Sequence, residues 1–222
     1  MKKKIRIRSV AAIIVTIAFY AFQMYIALIK QFPPMLQGPL HLVFALTLVY
    51  IYFPADYNYR KKIRKAAEAK NQTPDMQLMS KRSWMNWLDL PAFAGIVYMF
   101  WYILTQNTRL TEYVLGISPV YIIDYISMIV CIVLLLLAVY RTLGIMLTAF
   151  IALFIVYAWT APYLPGIFYT KPKATIIKFL NQFTAGMVMT ESGIFGTPLY
   201  TSASTLFYFM VFGAFFSTIG GG

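Results

Sequence analysis

Six apolar runs dominate this sequence, at residues 9–29, 34–53, 90–105, 121–140, 143–160 and 198–219, and the first holds 21 residues without a charge. At about 1.5 Å of rise per residue, roughly 20 residues of helix cover the ~30 Å hydrocarbon layer of a bilayer. A soluble alternative would have to bury all of this in one core. With 60% hydrophobic and only 12% charged residues in 222, the chain has more apolar surface than such a core can hide, so lipid is expected to cover the rest. The expected fold class is all-α: a polytopic integral membrane protein with about six transmembrane helices.

Punctuation between the runs supports these limits. Pro54 closes the second run, Gly144 breaks the fourth from the fifth, and Pro162 with Tyr163-Leu164-Pro165-Gly166 follows the fifth. Trp84 and Trp87 stand before the third run at a depth that suits headgroups. The basic start with its long apolar run reads as an uncleaved first helix, because it is too long for a signal peptide and has no small-x-small cleavage site.

The net charge of +12 is distributed by side. With the N-terminus in the cytoplasm, fourteen basic residues fall inside and five outside, which is the positive-inside pattern of a bacterial inner membrane protein. These blocks come with no nucleic-acid motif, so nucleic acid is not expected as a partner. Residues 54–89 form the one extended polar stretch, and its "YRKKIRKAAEAK" combines helix formers with a dense basic face. Anionic lipids are the expected partner of the basic loop at 60–82, with a cytoplasmic protein as the alternative. Between the fifth and sixth runs, Ile176, Phe179, Leu180, Phe183 and Met187 recur at helical steps opposite Lys178, Asn181 and Gln182. That pattern predicts an amphipathic interfacial helix over 174–189, or the first turns of a re-entrant or longer tilted helix.

Chemistry-bearing residues are few. One histidine, one cysteine and seven acids show no metal-ligand spacing, and no nucleophile neighbours His41 in a recognisable motif. No catalytic or metal site is expected, nor a cofactor, and the chain is not read as an enzyme. Polar residues at membrane depth are therefore the candidates. His41 reads as an interhelical hydrogen-bonding residue or a proton relay. Asp124 reads as a structural acid near the outer boundary, paired with Arg109 or in contact with water, or as part of an ion pathway. Arg141 reads as a topology anchor in a tight hairpin, or as the partner of a distant carboxylate. Glu191 reads as a loop acid facing water or a partner protein. In the last helix Thr201, Ser202, Ser204, Thr205, Gly213 and Ala214 are small or hydroxylated, and Ser202, Thr205 and Gly213 mark an expected helix-packing face.

The segment "ESGIFGTPLYTSASTLFYFMVFGAFFSTIGGG", residues 191–222, resembles the junction in fused permeases of tripartite ATP-independent periplasmic (TRAP) transporters of the TAXI type. Gly193, Ile194, Phe195, Gly196, Pro198 and Leu199 match its Gly-Ile-Phe-Gly-x-Pro-Leu stretch. Phe212, Gly213, Ala214, Phe215, Gly220 and Gly222 match the aromatic helix after it. Upstream, His41-Leu42, Asp124, Arg141, Thr142, Gly144, Tyr157 and residues 163–166 follow the family's order, while Leu137 and Tyr140 stand where it has an acid and a second arginine.

The resemblance implies a sodium-driven secondary importer of organic acids fed by a periplasmic solute-binding protein. Residues 1–165 would be the small-subunit-like membrane domain and 166–222 the start of the large permease domain. Substrate and sodium sites are then expected beyond Gly222, in the rest of the large permease domain, and the chain is expected to be an N-terminal fragment. The alternatives are a complete small subunit paired with a separate large one, or a self-contained scaffold or assembly subunit with no substrate site.

Overall fold

A computed structural model of the chain describes residues 2–68, 87, 89–161, 164 and 175–220. Trp84, the 69–86 part of the basic loop, most of the 162–166 turn, Ala174 and Gly222 lie outside the described residues. Eight helices and no strand occur among the described residues. They are α1 (Lys2–Leu28), α2 (Pro34–Tyr52), α3 (Tyr57–Glu68), α4 (Asp89–Thr111), α5 (Ile122–Thr142), α6 (Ile145–Thr160), α7 (Ile176–Val188) and α8 (Thr197–Thr218).

Four of them are long and apolar enough to cross a membrane: Arg8–Leu28 of α1, α2, α5 and α8. Two expected spans differ in kind. The apolar part of α4 is followed by Gln106 and Asn107, yet the helix continues to Thr111. Its polar tail is held by Arg109, whose Nε donates to Gln106 Oε1 at 2.9 Å. Apolar throughout, α6 is short for a span and has no buried residue.

The ends of the helices follow the local chemistry. Pro34 opens α2, where its missing N–H removes nothing from the ladder. Asp89 opens α4 with the sign of charge that a helix N-terminus favours. Between α5 and α6, Gly144 has φ +95°, a conformation that side chains resist, and its N–H closes the helix onto Val139 O.

The chain folds as two compact units. The first comprises residues 1–13, 46–98 and 130–173. Its interior is formed by Leu46, Tyr50, Ala92, Ile96, Leu134 and Ala138, all buried. Gly95 lets α4 approach α5 there, since a Cβ at that position would meet the Val130 and Leu134 side chains at 3.3–3.4 Å.

The second unit comprises residues 14–45, 99–129 and 174–222. Tyr102, Ile103, Leu110, Ala185, Val188 and Phe195 are buried in it. The buried positions of α7 are Thr184, Ala185 and Val188, whereas Ile176 and Ile177 are exposed. The face that this unit covers is thus the small one, and the bulky apolar stripe read from the sequence is left half-buried or exposed.

A compact turn over residues 189–197 joins α7 to α8. Ile194 N donates to Met187 O at 2.7 Å and Thr197 N to Glu191 O at 2.9 Å, folding the chain back on the end of α7. A Cβ on Gly193 would overlap the Gly186 and Met187 carbonyls, and one on Gly196 would overlap Glu191. Only glycine fits at either position, and Phe195 between them is fully buried. Within α8, Ser202–Leu206 forms a π-helical turn in which Phe207 N–H reaches Ser202 O, and Ala203 is its buried residue.

Candidate functional site

Three polar clusters form where buried side chains need partners, one in the first unit and two in the second. In the first unit, Arg141 in the last turn of α5 donates from Nη1 to Asp89 Oδ1 at 2.6 Å. The same nitrogen contacts Phe53 O at 3.3 Å, and Ala55 N donates to Asp89 Oδ1 at 3.2 Å. Above the Tyr50 ring, the guanidinium carbon stands 4.5 Å from the centroid, and Tyr50 OH donates to Leu134 O. Arg8, itself half-exposed, is a looser second partner of Asp89 at 3.5 Å.

In the second unit, Asp124 in the first turn of α5 is fully buried and has four donors. They are Tyr102 OH at 2.7 Å, Tyr121 N at 2.8 Å, Arg109 Nη1 at 2.9 Å and Arg109 Nη2. Each of α4 and α5 thus carries an acid in its first turn and an arginine in its last, and each acid pairs with the other helix's arginine. Both placements also agree in sign with the helix dipoles.

The third cluster, also in the second unit, centres on His41 of α2. Gln23 Nε2 of α1 donates to His41 Nδ1, and Tyr208 OH of α8 donates to Gln23 O at 2.8 Å. Phe19 and Phe207 meet the imidazole edge-on, at 4.8 and 5.8 Å between ring centroids. Gln23 is wholly buried and His41 nearly so.

These positions sort the sequence candidates. His41 makes an interhelical hydrogen bond, and Asp124 pairs with Arg109. Arg141 takes the second of its two readings, pairing with a carboxylate. That carboxylate, Asp89, reads from the sequence as a loop acid, whereas it is buried at the start of α4. Glu191 is exposed in the 189–197 turn, where its carbonyl receives Thr197 N. Ser202 is half-buried in the π turn, Thr205 is exposed, and a Cβ on Gly213 would meet nothing within 4 Å.

Gln23, Tyr50 and Tyr102 were missed because each sits in an apolar run. Their one signal is a polar tip that a buried position must satisfy. Among the described residues no group of three His, Cys, Asp or Glu side chains could hold a metal ion. An apolar hollow of about 650 Å³ beside α6, lined by Leu143, Met146, Leu147, Ala149, Phe150 and Leu153, offers no hydrogen-bonding side chain.

Compared with models of protein families, with curated proteins and with solved structures, the chain matches none.

Proposed function

We propose that the chain is a membrane permease component of a sodium-coupled secondary transporter of the TRAP kind, importing organic acids delivered by a periplasmic solute-binding protein. The 189–197 turn carries this reading. Within the stretch that resembles the family's junction, this backbone can least replace three residues: Gly193 and Gly196 have no room for a Cβ, and Phe195 is buried. In this reading α4 and α6 complete a set of six crossings in a bacterial inner membrane, α7 lies at the interface and the N-terminus is cytoplasmic. Residues 1–165 are the small membrane domain, and 166–222 belong to the large one.

The chain's own part is a scaffold and not a catalyst. Asp89 and Asp124 are each neutralised by an arginine, and a carboxylate so engaged does not offer its oxygens to a travelling sodium ion. Substrate and sodium are assigned to the rest of the large permease domain. The exposed Thr205 and Gly213 of α8 would meet partner helices there, since small residues allow close approach.

Deleting the gene and measuring uptake of labelled organic acids with and without a sodium gradient tests this. Sodium-dependent uptake of at least one acid should fall to background and return with a plasmid copy. Unchanged uptake across the panel would reject the proposal in favour of a scaffold or assembly subunit without a substrate.

A further inference from the structure

Helix α3 begins five residues after α2 ends, and contacts of its first turn and of the connection before it tie this segment to other helix ends. Asn58 Nδ2 donates to Tyr140 O near the end of α5 at 3.0 Å, and Ala55 N donates to Asp89 Oδ1 at the start of α4. The Phe53 and Tyr57 rings meet edge-on at 4.8 Å. Exposed Tyr52 and Trp87 occur at these same helix ends, as aromatic residues do at headgroup level. Along α3, Tyr59, Ile63 and Ala67 form a half-buried stripe at i, i+4, i+8, while Lys61, Lys62, Arg64 and Lys65 are exposed around the rest. Arg60 is paired with Asp56, but among the described residues none of the four exposed bases has an acidic partner.

We propose that the Lys61, Lys62, Arg64 and Lys65 face of α3 is a docking surface for the headgroups of anionic phospholipids. Positive-inside bias accounts for the sign of this segment but not for its geometry. A helix tied to α5 at its first turn, and to α4 through the connection before it, holds its bases near one depth, and that depth is where a membrane-spanning helix leaves the bilayer. Lysine and arginine arms are long enough to lie along apolar surface and present their charge to phosphate from there. The inference needs only a membrane-spanning chain and is independent of any transport activity.

The test uses the full chain in detergent, titrated with equimolar phosphatidylglycerol and phosphatidylcholine and read by native mass spectrometry. Wild type should retain phosphatidylglycerol preferentially, and the preference should shrink as salt rises. Replacing all four bases, K61Q/K62Q/R64Q/K65Q, should lower that preference by about tenfold or more. The charge-conserving K61R/K62R/R64K/K65R should keep it, which separates lost charge from lost fold. Equal retention of the two lipids by wild type would overturn the proposal and leave an acidic protein as the partner of this face. An undiminished preference in the glutamine variant, or loss of preference in the charge-conserving one, would overturn it as well.

Discussion

Arg141 Nη1 lies 2.6 Å from Asp89 Oδ1 although the two residues are 52 positions apart, and both side chains are at most 6% exposed. Removing one partner strands the other charge away from water. Asp89→Leu or Arg141→Met should each destabilise the chain by roughly 3–5 kcal/mol, whereas the double replacement Asp89→Leu with Arg141→Met should cost less than either alone. Thermal melting of the detergent-solubilised protein through the full double-mutant cycle measures this. Additive costs would mean that the pair is not coupled.

At Asp124 the donors can be removed one at a time. Tyr102→Phe deletes a hydroxyl bonded to a buried carboxylate and nothing else, so a loss of about 1.5–3 kcal/mol is expected. Arg109→Gln removes the counter-charge and should cost more. Equal stabilities of Tyr102→Phe and wild type by melting would show that this hydroxyl does not hold the acid.

The glycines divide into two groups with opposite expectations. Gly196→Ala drives a methyl into the Glu191 backbone, and a loss of at least about 1–3 kcal/mol should follow. Gly186→Ala, inside α7 with open space around the added Cβ, should gain about 0.5–1 kcal/mol from the lower flexibility of the unfolded chain. Gly213→Leu should leave the chain's own melting unchanged but block its association with partner helices, which co-purification would reveal. A marked fall in melting temperature for Gly213→Leu would place that face inside this chain.

Orientation can be read by labelling. Cys131, the sole cysteine, is 1% exposed and should react slowly, so single cysteines can be added to the natural background. An impermeant maleimide applied to spheroplasts should label Ile117→Cys and spare Lys65→Cys until the membrane is opened. The reverse pattern would invert the topology.

Helix positions were legible in the sequence because apolar length and proline or glycine breaks are local properties. Pairing was legible where two charges bracket one short connection, as Arg109 and Asp124 do. It was not legible for Asp89, which follows a long polar stretch and looks like its last residue until α5 brings Arg141 to it. Gln23 and Tyr208 lie 185 positions apart, and only the fold shows that a buried carbonyl on one helix needs the hydroxyl of the other. The helical extent of α4 beyond its apolar run was not legible for a related reason. Gln106, Asn107 and Arg109 look like an exit from the membrane, but they continue a helix whose end is held from outside its own sequence.

The Ser202–Leu206 turn takes in one residue more than an α-helical turn would, and that surplus rotates everything after it by about 100° about the helix axis. Phe207 and Tyr208, the first residues beyond it, are those that reach His41 and Gln23. The turn therefore acts as a vernier on α8: deleting one residue there would dial both rings off their targets while leaving the upstream half of the rod in place.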